Sequence, residues 1–98
     1  MDYSITKDDD TLNVKLFGRL DTNNSTKFEN AIMGEMTGVS EVVFDFGELN
    51  YISSAGLRVL VLTDQTLKEG NGIKIINLKE ELRDVFEVTG LIDLFEFE

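Results

Sequence analysis

The chain has 98 residues, 42% of them hydrophobic, enough for one domain with a real core and too few for two. Its 19 acidic and 9 basic residues give a net charge of −10, which argues against nucleic-acid binding by phosphate neutralisation and against docking on an anionic membrane. With no cysteine and no histidine, disulfides, thiolate catalysis and sulfur-ligated zinc are excluded, and the commonest general base and transition-metal ligand are missing.

Tyr3 to Thr6 has weak strand character, and Lys7-Asp8-Asp9-Asp10 reads as a polar turn. The three aspartates lack the alternate-ligand spacing and closing Glu of a calcium loop, so a solvated turn is expected there and no metal site. Leu12, Val14 and Leu16 alternate with Asn13, Lys15 and Phe17, which predicts a strand with one buried face. The two segments form an antiparallel hairpin on this reading. Gly18-Arg19-Leu20-Asp21 follows, with Thr22 or Asn24 as cap of a helix that places Phe28, Ile32 and Met36 on one face. Met33 and Met36 are read as core and rim.

Glu41 to Phe46 is a short apolar run, expected to be a central strand covered on both sides. Asp45 at its end is read as structural. A second helix is expected from the serines at 53 and 54 to Gly70, apolar nearly all round at its start through Leu57, Val59, Leu60, Val61 and Leu62. Asn71-Gly72 turns into the strand Ile73-Lys74-Ile75-Ile76. Asn77 with Glu80 resembles a capping box for a helix that buries Leu82, Val85 and Phe86 and stops at Gly90. Leu91 to Phe97 is expected to be a final short strand. The order is β-β-α-β-α-β-α-β, an α/β chain whose mixed β-sheet opens with an N-terminal β-hairpin and carries helices packed on it. Residues 1–98 form one domain on this reading. Met1-Asp2-Tyr3-Ser4 lacks the features of a signal peptide and no apolar run has the length of a membrane span, so a cytoplasmic protein is expected.

The chemistry concentrates in Asn50-Tyr51-Ile52-Ser53-Ser54-Ala55-Gly56-Leu57-Arg58. Two serines stand where a strand's exit loop meets a helix start. Free N–H groups and the positive end of the helix dipole can hold a phosphate there, or stabilise one attached to a serine. Either serine can also be a plain N-cap, worth about 1 kcal/mol. Asp21 is open to two readings, a turn residue or part of a docking surface. Arg58 is read as facing solvent, and could pair with a phosphoserine or with an acidic residue of a partner. Gly56 is read as thinning the first helical turn and letting a partner or a nucleotide approach the backbone.

These residues carry a family resemblance over nearly the whole chain. Gly18-Arg19-Leu20-Asp21, Phe44-Asp45-Phe46 with Leu49, Ser53-Ser54-Ala55-Gly56-Leu57, and Gly70 to Phe86 followed by Thr89-Gly90-Leu91 resemble, in order, the motifs of a single STAS domain. That module makes up bacterial anti-sigma factor antagonists and the cytoplasmic tails of sulphate transporters. The resemblance implies partner switching. The unmodified antagonist binds an anti-sigma factor that is a serine kinase and frees a sigma factor. Phosphorylation of one serine breaks the complex, and a serine phosphatase resets it. That serine falls on Ser54. The family's preceding Asp falls on Ser53 and its second hydroxyl residue on Ala55, two departures. The docking surface so implied comprises Asp21, Ser53, Ser54, Ala55, Gly56 and Arg58, with no cofactor, no metal and no catalytic residue.

Two rival functions are carried forward. A small α/β enzyme could use Ser54 as nucleophile, but that needs an adjacent base, which the chain does not supply in sequence. A non-phosphorylated STAS scaffold or nucleotide-sensing module would use Ser53 and Ser54 as a docking edge alone.

Overall fold

The computed structural model describes residues 2–67 and 69–98. Met1 and Lys68 lie outside the described residues, with the part of the expected second helix that falls on Lys68. Five strands form one sheet in the order β1-β2-β3-β4-β5. The first, β1 (Asp2–Asp8), runs antiparallel to β2 (Thr11–Leu20), as the hairpin reading requires. The turn between them is shorter than expected, because Lys7 and Asp8 pair with Leu12 and Thr11. Parallel pairing then continues through β3 (Glu41–Ile52), β4 (Gly72–Ile76) and β5 (Glu96–Phe97). Helix α1 (Ser25–Met33) connects β2 to β3, α2 (Ser54–Thr66) connects β3 to β4, and α3 (Glu80–Val88) follows β4.

The core lies on one side of the sheet. Leu12, Val14 and Leu16 of β2, Val42, Phe44 and Phe46 of β3, and Ile73 and Ile75 of β4 are buried beneath Phe28, Ile32, Leu57, Leu60, Leu82 and Phe86 of the helices. An aromatic chain runs across this side: Tyr3 meets Phe28, Phe28 meets Phe44, then Phe46, Phe86 and Phe97, with ring centroids 5.3–6.4 Å apart. The opposite side is open. Ser4, Thr6, Asn13, Lys15, Val43, Asp45 and Ile76 line a shallow depression there. The smallest molecular extent, 19 Å, matches one sheet and one helix layer. The expectation that Glu41 to Phe46 is covered on both faces is therefore corrected. Val43 interrupts the alternation in sequence, yet it lies half-buried on the open side beside Ile76. Among the described residues no helix is long and apolar enough to cross a membrane.

Local expectations fail where a long-range partner or a short local bond wins. Met36 lies beyond α1, which ends at Met33 with Gly34 as its cap, and packs on the core from the connection. The second helix ends at Thr66 with Leu67 as its cap, short of Gly70. Asn77 forms no capping box with Glu80. Its φ is +59°, a conformation asparagine tolerates, and its side-chain amide donates to Asp45 Oδ1 at 3.0 Å. Asp45 Oδ1 also accepts from Gly47 N–H at 2.9 Å, which pins the irregular stretch of β3. The expected strand from Leu91 is instead a 3₁₀ turn, Leu91–Asp93, followed by the two-residue β5. The carbonyl of Leu91 accepts from the N–H of Leu94 and of Phe95, so local bonds displace sheet pairing. Lys74 holds this short edge through Glu98 at 3.0 Å and Glu96 at 3.4 Å, and the hydrogen bonds it donates to these carboxylates hold its ammonium above the usual lysine value.

Candidate functional site

Ser53 and Ser54 close the seam between β2 and β3. The two parallel strands stay paired to their ends, with Arg19 opposite Tyr51 and Leu20 opposite Ile52. Strand β3 thus runs through Asn50-Tyr51-Ile52, residues the sequence placed in an exit loop. Ser53 N–H then donates to Leu20 C=O at 2.9 Å, which ties the start of α2 to the residue before Asp21.

Ser53 is the N-cap of α2. Its backbone is extended (φ −91°, ψ 172°), its Oγ accepts from Gly56 N–H at 3.2 Å, and its carbonyl accepts from Leu57 N–H at 2.9 Å. The N–H, the C=O and the Oγ of Ser53 thus each make a hydrogen bond, the Oγ as acceptor, and the side chain is half-buried. Ser54 is the first helical residue and is exposed, so of the two serines Ser53 is the one that caps. The N–H groups of Ser54 and Ala55 belong to the first turn and have no partner within the helix. Replacing the cap isolates its contribution: Ser53→Ala is expected to lower stability by about 1 kcal/mol, while Ser54→Ala leaves it unchanged. Chemical denaturation of both chains measures the difference.

Gly56 is buried, against the expectation that a partner reaches its backbone. A Cβ built on it would stand 2.8 Å from Ile52 Cγ1 and 2.9 Å from Leu20 Cγ. The absence of a side chain lets α2 descend onto the ends of β2 and β3. It serves the interior, and it sets the height at which Ser54 stands above the sheet.

Asp21 is occupied by its own turn. Its Oδ1 accepts from the N–H groups of Asn23 and Asn24 at 3.0 and 3.2 Å, and its carbonyl accepts from Ser25 N–H at 3.0 Å. Asn24 stands at the cap position of α1 without capping it. Its side chain reaches back, accepting from Asp21 N–H and donating to Arg19 C=O. Arg58 and Ala55 lie along a depression of about 250 Å³ between α1 and α2, whose other walls are Ser25, Thr26, Glu29 and Val59. Arg58 is exposed and forms no ion pair among the described residues.

Two residues of this region escaped the sequence reading as site residues. The Arg19 guanidinium lies 4.1 Å from the ring centroid of Tyr51, and its Nε is 4.0 Å from Asp21 Oδ2. Tyr51 is 38% exposed, so the end of the open sheet face carries a stacked aromatic and cation beside the serine turn. The register that pairs Arg19 with Tyr51 is a long-range property, and no local pattern announces it.

Fold and site together define a small α/β module that presents an exposed serine on the first turn of a helix and has one side of its sheet open. Comparison with known proteins gives the family. The family model for the STAS domain matches residues 2–98, and the chain belongs to this family. A relative from Bordetella bronchiseptica, BtrV, provisionally named an anti-sigma factor antagonist, is 35% identical over 97 residues, covering 97% of this chain and 84% of its own. The anti-sigma-B factor antagonist of Listeria monocytogenes is 29% identical over 94 residues, covering 92% and 81%. Among solved structures, the anti-sigma factor antagonist SpoIIAA superposes in its unphosphorylated form with a TM-score of 0.78 at 18% identity, covering 99% of this chain and 87% of that one. SpoIIAA from Bacillus in its phosphorylated form gives 0.77 at 20% identity, covering 99% and 91%. At these identities the structural likeness speaks for the fold.

Proposed function

We propose that this chain is an anti-sigma factor antagonist, switched off by phosphorylation of Ser54. The observation that carries the reading is the division of labour between the serines. Ser53 is used up as the cap, while Ser54 stands exposed one residue further on. In the proposed cycle the unmodified chain binds an anti-sigma factor that is also a serine kinase, and a sigma factor is released. Ser54 Oγ then attacks the γ-phosphorus of ATP in the kinase site. The bond to the β–γ bridging oxygen breaks, ADP leaves, and the hydroxyl proton passes to a base of the kinase. A serine phosphatase restores the hydroxyl. No large rearrangement is needed, because a phosphate adds close to two charges at one surface point.

The replacement of the family's Asp by Ser53 fits this scheme structurally. Asp and Ser are comparable N-caps, so the exchange preserves the first turn of α2. It does remove a carboxylate beside the hydroxyl, which keeps a second reading in play: a STAS scaffold or nucleotide-sensing module that docks through the same turn without modification.

The test is intact mass after incubation with ATP, Mg²⁺ and the candidate anti-sigma kinase. One added phosphate that Ser54→Ala abolishes and Ser53→Ala retains is the expected result. A stable complex with no added phosphate would replace the switch by the scaffold reading.

A further inference from the structure

We propose that Arg58 is the internal receptor of the phosphate on Ser54, so that modification both charges the docking turn and withdraws its free cation. This rests on the phosphorylation reading above and adds how the modified state is held.

Ser54 and Arg58 stand four positions apart on α2, and both are exposed. Residues at that spacing are neighbours on a helix surface. Helical side chains lean toward the N-terminus, so Arg58 reaches back over the first turn, where Ser54 and Ala55 stand. Arg58 has no ion-pair partner among the described residues. The other arginine near this turn, Arg19, is already stacked on Tyr51 and lies beside Asp21.

The depression that Arg58 borders lies beside the same turn, reaching Ala55 though not Ser54. Two polar residues are buried among the described residues, Ser25 and Thr63. The Thr63 hydroxyl donates to Val59 C=O at 2.8 Å. Ser25 is 5% exposed and its hydroxyl has no hydrogen-bond partner within the described chain, yet it lines the depression that Arg58 borders. Among the described residues no buried side-chain polar atom lacks a partner, so this hydroxyl is not sealed in the core but opens to the depression, where it can donate to an anion. Thr26 adds a second hydroxyl to the wall. Glu29 is the one carboxylate lining the depression and opposes an anion there, so the phosphate is held on the Arg58 side. Arginine suits the role because its planar fork binds phosphate oxygens in pairs.

The state change follows. In the unmodified chain Arg58 is free to meet an acidic group of the docked partner. After modification its charge is spent on the phosphate one turn away. The partner loses an attractive contact as well as meeting a dianion.

The experiment places phosphoserine at position 54 during translation by codon reassignment and follows the phosphate by ³¹P NMR through its second ionisation, roughly at pH 6. Arg58 favours the dianion, so the pKa of the phosphate is expected about 0.4 unit lower than in Arg58→Gln, the scale of an i,i+4 ion pair. Arg58→Lys is expected to retain part of the shift, Ser25→Ala to lose a smaller part, and added salt to shrink it. Glu29 is present in every one of these chains, so its opposing charge cancels in the comparison. Thermal unfolding of the unmodified variants confirms that each chain is folded. Equal pKa values in the wild-type and Arg58→Gln phosphoproteins would overturn the proposal. Because the phosphate is installed without a kinase, this outcome is independent of whether a kinase modifies Ser54.

Discussion

Ser54→Asp is expected to bind the anti-sigma kinase at least about 100-fold more weakly than the unmodified chain, a loss of about 2.7 kcal/mol. The replaced hydroxyl is exposed on the first turn of α2, at the centre of the proposed docking surface. A carboxylate there gains little inside its own chain: the first-turn N–H groups favour it by about 0.3–1 kcal/mol and an i,i+4 pair with Arg58 by about 0.2–0.5 kcal/mol. When the partner docks, the carboxylate must give up water, and pairing it with Arg58 takes that cation away from the partner. Truncating one member of a buried charge pair costs about 2–5 kcal/mol for the same reason. Ser54→Ala removes the charge question and is expected to bind with unchanged affinity while resisting release by ATP. Titration calorimetry on the three chains measures both results. Equal affinities for Ser54→Asp and wild type would end the electrostatic switch, and would do so whatever the position of Arg58.

Gly56→Val is expected to destabilise the fold by about 3 kcal/mol, the upper end of the usual range for overpacking. The first added carbon already collides with Ile52 Cγ1 and Leu20 Cγ, at 2.8 and 2.9 Å. Leu20 Cγ is a branch point and Ile52 Cγ1 is bonded to the branched Cβ, so both lie close to the backbone, and both residues are buried at the paired ends of β2 and β3. They cannot swing aside as the tip of a long chain would. Gly56→Ala meets the same two atoms but recovers up to about 1 kcal/mol of helix propensity, so its net loss is smaller. The valine change also lifts the first turn of α2 from the sheet and displaces Ser54 with it. Urea denaturation gives the stability. Loss of partner binding in the fraction that remains folded reports the displacement. A Gly56→Val chain as stable as wild type would show that the contact between α2 and the strand ends is loose.

Much of the fold was legible because its signals are local. The alternation of Leu12, Val14 and Leu16 and the helical spacing of Phe28 and Ile32 act over a few residues, and the structure places those side chains in the core. The site was legible in a coarser way. The two serines at a strand-to-helix junction identify the place, but composition cannot say which is the cap. Asn77 shows the limit. Its local pattern, a polar residue three before a Glu, is that of a capping box, yet Asp45 lies 3.0 Å from its side-chain amide and wins. Asn24 repeats the lesson: it stands at the cap position of α1 and spends its side chain on Asp21 and Arg19.

By itself the sequence determined the element order, the hairpin, most of the core and the turn at which function is sought, since hydrophobic period and turn chemistry are short-range properties. Its net charge of −10 and its lack of histidine and cysteine are likewise read directly from the sequence. Only the tertiary structure decided that the sheet is covered on one side, that β3 runs to Ile52, that Ser53 is the cap and Ser54 free, and that Gly56 faces the interior. Each of these depends on strand register and on the approach of α2 to Leu20 and Ile52. The strand pairing of Leu20 with Ile52 and the contact of Gly56 with Leu20 join residues more than thirty positions apart, and no short window of sequence contains both partners.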